Sequence, residues 1–166
     1  MGSWINSMQW NAEFTAYQAI WKEMVTVRTL GDKIVLRESE LGDLGLPSEY
    51  LASVDRAPIR MKLLKEFVEA SKRLLVAIHD SAPFYPAPIR EAANKTHRAA
   101  KDLFTKYLSA FTQQTATGID VTGDAQFING GKTLLLDRFE GVDQVESLMR
   151  ERLEAVQVVN TASVSD

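Results

Sequence analysis

Apolar residues in this chain return at steps of three and four, and no segment sustains the strict alternation of a half-buried strand. A stripe with that period lies along one side of an α-helix, so the chain must hide helical faces rather than pair strands. Four blocks carry it. The first holds Phe14, Tyr17, Ile20, Trp21, Met24, Val27 and Ile34, which predicts a helix starting within Trp4–Trp10 and running to about Val35. The second opens at Pro58, whose missing N–H costs nothing in a first turn, and continues through Met61, Leu64, Phe67, Val68, Leu74, Leu75 and Ile78. Pro83, Pro86 and Pro88 stop it.

The third block carries Ile89, Ala92, Ala93, Ala100, Leu103, Phe104, Tyr107, Leu108 and Phe111, and it dies in a polar loop containing Gly118 and Gly123. The fourth carries Leu135, Phe139, Val142, Val145, Leu148, Met149, Leu153 and Val156. Gly130-Gly131 is expected at its entrance, and Gly141 stands inside it at a cost of about 1 kcal/mol relative to alanine. Between the first two blocks, a short helix near Pro47–Val54 is expected, because a structureless connection of some 20 residues is unusual in a compact domain. Four amphipathic helices can bury their stripes only against one another. The expectation is an all-α chain: an antiparallel four-helix bundle over residues 1–159, with a flexible tail at 160–166.

Composition narrows the function. With no cysteine in 166 residues, thiol catalysis, disulfide scaffolds and cysteine-ligated metals are excluded. A net charge of −3 argues against a protein that coats nucleic acid. The charge is unevenly placed, with ten Lys/Arg against five Asp/Glu over residues 59–115 and four against nine over residues 116–166. The two middle helices are therefore basic and the last one acidic. Such a balance suits neighbouring helices within one bundle, and equally a basic face that meets a phosphate or an acidic partner.

Catalytic patterns fail one by one. The Glu-x-x-His pairs of di-iron bundles need glutamate three residues before histidine, and His79 and His97 have Val76 and Asn94 there. His79-Asp80 resembles the paired metal ligands of HD-type phosphohydrolases, yet no histidine precedes His79 to complete the set. Gly130-Gly131-Lys132-Thr133 looks like the end of a phosphate-binding loop, but Gln126 stands where that loop needs glycine. Glu66 and Glu69 alternate with Lys62, Lys65, Lys72 and Arg73 as on a solvated face. No Gly-x-Ser-x-Gly elbow is present. No cofactor is expected.

Contact features stand out more. All three tryptophans, Trp4, Trp10 and Trp21, fall in the first 21 residues. Trp21 lies on the core stripe, whereas Trp4 and Trp10 are candidates for the bundle's end or for a partner. Phe84 and Tyr85, set between Pro83 and Pro86, either fold back to cap the core or form an aromatic knob. Phe14, Tyr17, Ile20, Trp21 and Met24, with the later Phe127-Ile128-Asn129-Gly130, resemble a group of uncharacterised bacterial helical proteins, in many of which a similar bundle follows an N-terminal membrane anchor. The resemblance implies a cytoplasmic bundle, or one at the cytoplasmic face of a membrane if the natural protein extends upstream, and it carries no known activity or site.

The leading expectation is a non-enzymatic interaction or accessory module, self-associating or bound to another protein, with Trp4, Trp10, Phe84 and Tyr85 as contact residues. A metal-dependent phosphate-ester or nucleotide hydrolase built on His79, Asp80 and His97 is the alternative. A weaker one is nucleic-acid binding through Arg90, Lys95, Arg98, Lys101 and Lys106.

Overall fold

The computed structural model describes residues 2–43, 57–119, 121 and 125–162. Among them the chain is all-helical, with four long helices and one 3-10 turn: α1 (Gly2–Asp43), α2 (Ala57–Asp80), the turn Ala82–Phe84, α3 (Ala87–Thr117) and α4 (Ala125–Ala162). No helix among the described residues is long and apolar enough to cross a membrane. The short helix expected near Pro47–Val54 falls outside the described residues.

Local chemistry accounts for the ends of α2 and α3. Pro58 stands in the first turn of α2. Beyond Asp80, the Ser81 N–H donates to the Ala77 carbonyl and the Phe84 N–H to the Ser81 carbonyl, which carries the chain around the proline-rich turn. Pro86, extended at φ −65° and ψ 154°, caps α3, and its carbonyl accepts from the N–H groups of Ile89 and Arg90. Gly118 ends α3 in the left-handed region at φ 73°, where its N–H donates to the Gln114 carbonyl. Only a residue without Cβ adopts that conformation cheaply.

Helix α1 is longer than the periodicity predicts, reaching Asp43 rather than Val35. Leu36, Arg37, Glu38 and Glu40 are good helix formers, and no glycine interrupts them before Gly42. Helix α4 also departs from expectation. Gly130 and Gly131 lie inside it rather than at its entrance, and Asn160 to Ala162, expected in the tail, are its last residues.

The core collects Tyr17, Ile20, Met24 and Val27 from α1, Leu64, Phe67, Leu74 and Ile78 from α2, Ile89, Ala93 and Leu103 from α3, and Val142 and Val145 from α4. Among the described residues, two of the stripe turn outward instead: Met61 is 52% exposed and Leu108 43% exposed. Trp21 is half-buried against the core.

Helix α1 packs on α2 and α4, α3 packs on the same two, and α1 and α3 also touch each other. Glu23 meets Arg73 at 3.2 Å across α1 and α2. Along α1 and α4, Glu13 meets Arg152, Arg28 meets Asp143 at 3.7 Å, and Val35 lies against Gly131. Along α3 and α4, the Tyr107 and Phe127 rings stand edge to face, with centroids 5.1 Å apart. Gly141 sits directly on Ala92 and Thr96, so close that an added Cβ would lie 2.7 Å from Thr96 Oγ1 and 3.2 Å from the Ala92 carbonyl oxygen. That contact is why a helix-weakening glycine occurs inside α4.

Candidate interaction site

The turn between α2 and α3 separates the two neighbouring rings. Tyr85 is buried, and its hydroxyl donates to the Ile78 carbonyl in the last turn of α2. The carbonyls of a last turn have no partner within their own helix, so the phenol supplies one. Burial pushes the Tyr85 hydroxyl's pKa up, and the neighbouring Arg90 charge opposes it. Phe84, one residue earlier, is 46% exposed. The pair is thus one anchor and one outward ring. The turn also packs against α1.

On α1, Trp10 is half-buried and stacked on Phe14, with centroids 5.4 Å apart and planes 6° from parallel. The pair lies one helical turn apart on the same face, so part of the indole surface is taken up within the chain. Trp4 belongs to α1, but its side chain lies outside the described residues.

A polar cluster ties this end of α1 to α4. Arg152 donates from Nε and Nη2 to both carboxylate oxygens of Glu13, at 3.0 and 3.1 Å, and the Tyr17 hydroxyl donates to Glu13 Oε2 at 3.2 Å. The forked guanidinium matches the carboxylate plane, which makes this the best-formed ion pair among those described. Arg152 holds the Glu13 carboxyl below its ordinary pKa despite partial burial. Burial and the Glu13 charge push the Tyr17 hydroxyl up to about 12. The sequence points to part of this, since Glu13 and Tyr17 are spaced i,i+4, but nothing local points to Arg152.

His79 and Asp80 are exposed at the end of α2, and His97 is half-buried on α3. Desolvation lowers the His97 pKa, and the charges of Lys101 and His79 lower it further. No group of three or more His, Asp or Glu among the described residues could hold a metal ion. The basic residues of α3 do not form one patch. Lys95 and Arg98 line a groove of about 860 Å³ against α4, together with Glu91 and Asp143. Lys106 lies over the Phe127 ring at 4.0 Å, while Arg90 and Lys101 lie on the opposite flank of the helix. The Gly130-Gly131-Lys132-Thr133 run is helical, and Thr133 Oγ1 donates back to the Asn129 carbonyl. Its amides are spent within the helix and cannot cradle a phosphate.

A smaller groove of about 310 Å³ lies between α1 and α4, with Trp21, Met149 and Leu153 flanked by the Glu146–Arg150 pair. Comparison with known proteins adds no assignment to this geometry: no family model matches the chain, and no curated protein or solved structure matches it.

Proposed function

We propose that the chain is an antiparallel four-helix bundle that serves as a non-enzymatic protein-interaction module, meeting its partner through the α2–α3 side of the molecule. The runs of contacts along α1 and α4, from Glu13–Arg152 to Val35–Gly131, and along α3 and α4, from Ala92 and Thr96 on Gly141 to Tyr107–Phe127, support that arrangement. One observation carries the functional reading. Of the six large hydrophobic residues most exposed among the described residues, Met61, Val76, Phe84 and Leu108 lie on α2, α3 or the turn between them. Phe84 is the best placed, because Tyr85 pins the turn and an aromatic ring on a fixed turn loses little entropy on docking.

The test replaces Phe84 with photoreactive benzoylphenylalanine and illuminates the protein in an extract of its native cells. A second variant carries the same group at the exposed Lys132 of α4. The expected result is covalent protein adducts, to a second copy or to another protein, that form from position 84 and not from position 132. Equal adducts from both positions, or none from position 84, would overturn the reading.

A further inference from the structure

The flanks of α2 and α3 that adjoin each other carry cations and apolar groups without a single acid. On α2, Arg73 marks the flank turned to α1, because it reaches Glu23 there. The opposite flank, stepping by three and four, reads Met61, Lys65, Val68, Lys72, Leu75 and His79. On α3, Ala92 and Thr96 lie under Gly141 and so mark the flank turned to α4. Its opposite flank reads Arg90, Asn94, His97, Lys101, Phe104 and Leu108. The two flanks adjoin, since α2 and α3 pack on each other and these are the flanks turned away from α1 and α4.

The chemistry of this strip is ordered across its width. Val68, Leu75 and Phe104 are half-buried along the middle, while Lys65, Lys72, Arg90 and Lys101 stand exposed along the edges. Lys72 pairs with Glu69 at 3.3 Å. Lys65, Arg90 and Lys101 make no ion pair among the described residues. From position 61 to 79 the strip runs about 27 Å, the length of five turns of helix. The surfaces beyond it are mixed in charge, with Glu66 and Glu69 beside Lys62 and Arg73 on α2 and Glu91 and Asp102 beside Arg98 on α3, all exposed. Only along the strip itself do cations flank apolar groups with no acid among them, which suits a single slender acidic element.

We propose that the α2–α3 strip is the docking site for an acidic amphipathic helix of a partner protein, its apolar ridge on Val68, Leu75 and Phe104 and its carboxylates between the two rows of cations. This deepens the interaction-module reading and rests on it. Helix-in-groove recognition uses this combination of apolar anchors and flanking charge, and charge complementarity along both edges sets orientation and speeds encounter.

The probe is a capped, designed peptide of about 20 residues with one Leu/Ile stripe flanked by glutamates, compared with a peptide of the same composition whose stripe is scrambled. Binding is followed by calorimetry at low salt. The striped peptide is expected to bind about tenfold or more tightly than the scrambled one, and Lys65→Glu with Lys101→Glu to weaken it by about tenfold or more. Lys132→Glu is expected to leave binding unchanged. The milder pair Lys65→Ala and Lys101→Ala is carried alongside, with circular dichroism confirming that each variant folds.

Equal binding of both peptides, or indifference to the Lys65 and Lys101 changes, would overturn the proposal. So would association with vesicles containing about 30% phosphatidylserine in place of the peptide, or self-association abolished by the same variants. Failure here with position-84 adducts intact removes this proposal alone. Failure of both removes the interaction module as well.

Discussion

Gly130 and Gly141 lie in the same helix and invite the same substitution, yet alanine should act in opposite directions at the two sites. In either place it recovers about 1 kcal/mol of helix propensity. At Gly141 the new Cβ would lie 2.7 Å from Thr96 Oγ1 and 3.2 Å from the Ala92 carbonyl oxygen. Thr96 is fully buried, its hydroxyl bonded to that same carbonyl at 3.1 Å, so neither atom can retreat freely. Overpacking a dense core costs about 1–3 kcal/mol. The net loss for Gly141→Ala is therefore about 1 kcal/mol, which lowers the Tm of a chain this size by about 2–4 °C. At Gly130 the new Cβ meets only the far end of Lys106. That ammonium can swing away, surrendering some of its cation–π contact with Phe127, worth about 0.5–1 kcal/mol at an exposed site. Gly130→Ala should be neutral or stabilising by up to about 1 kcal/mol. Urea unfolding with a common m-value reads both. Adding Thr96→Ala to Gly141→Ala should recover at least about 0.5 kcal/mol beyond additivity. If Gly141→Ala stabilises as much as Gly130→Ala does, the close α3–α4 approach is wrong.

Two further outcomes concern the site. Tyr85→Phe should keep the helix content and lose about 0.5–1.5 kcal/mol, because the Ile78 carbonyl loses its donor. Tyr85→Ser should lose about 3–5 kcal/mol as the ring's burial goes too, and equal stability of both variants would refute the anchor. Glu13, held below its ordinary pKa by Arg152, contributes stability that is present above the unfolded value near 4.5 and is lost as pH falls through the lower folded value. In Arg152→Gln that acid limb should move to higher pH. Superimposable acid limbs would show that the pair is not formed in solution.

The sequence was most informative where chemistry is local. Pro58, the prolines from Pro83 to Pro88 and the Gly118 cap each act within one turn, and the helices start or stop beside them. Gly130-Gly131 misleads for the opposite reason. A glycine pair ordinarily signals a loop, but here tertiary packing decides, because a side chain at Gly131 would press on Val35 at 3.2 Å. Phe84 and Tyr85 could not be separated by hydrophobicity, since both rings suit a core. What distinguishes them is one carbonyl at the end of α2, reached by a hydroxyl that phenylalanine lacks. Glu13 and Arg152 are 139 residues apart, and no periodicity links them. The acid-free strip could be read from the sequence in principle, because its twelve positions follow helical steps. Only the packing shows that the two halves adjoin.

In the proposed interaction module, the helical core leaves its α2–α3 side for a protein partner. The most direct test follows backbone amide resonances of the isotope-labelled protein while the acidic striped peptide is added. Shifts are expected to concentrate at Val68, Leu75, His97, Lys101, Phe104 and Leu108 and to fade at higher salt, with Arg150 and Leu153 on α4 unmoved. Shifts centred on the α1–α4 groove, or a spectrum that does not change, would contradict it.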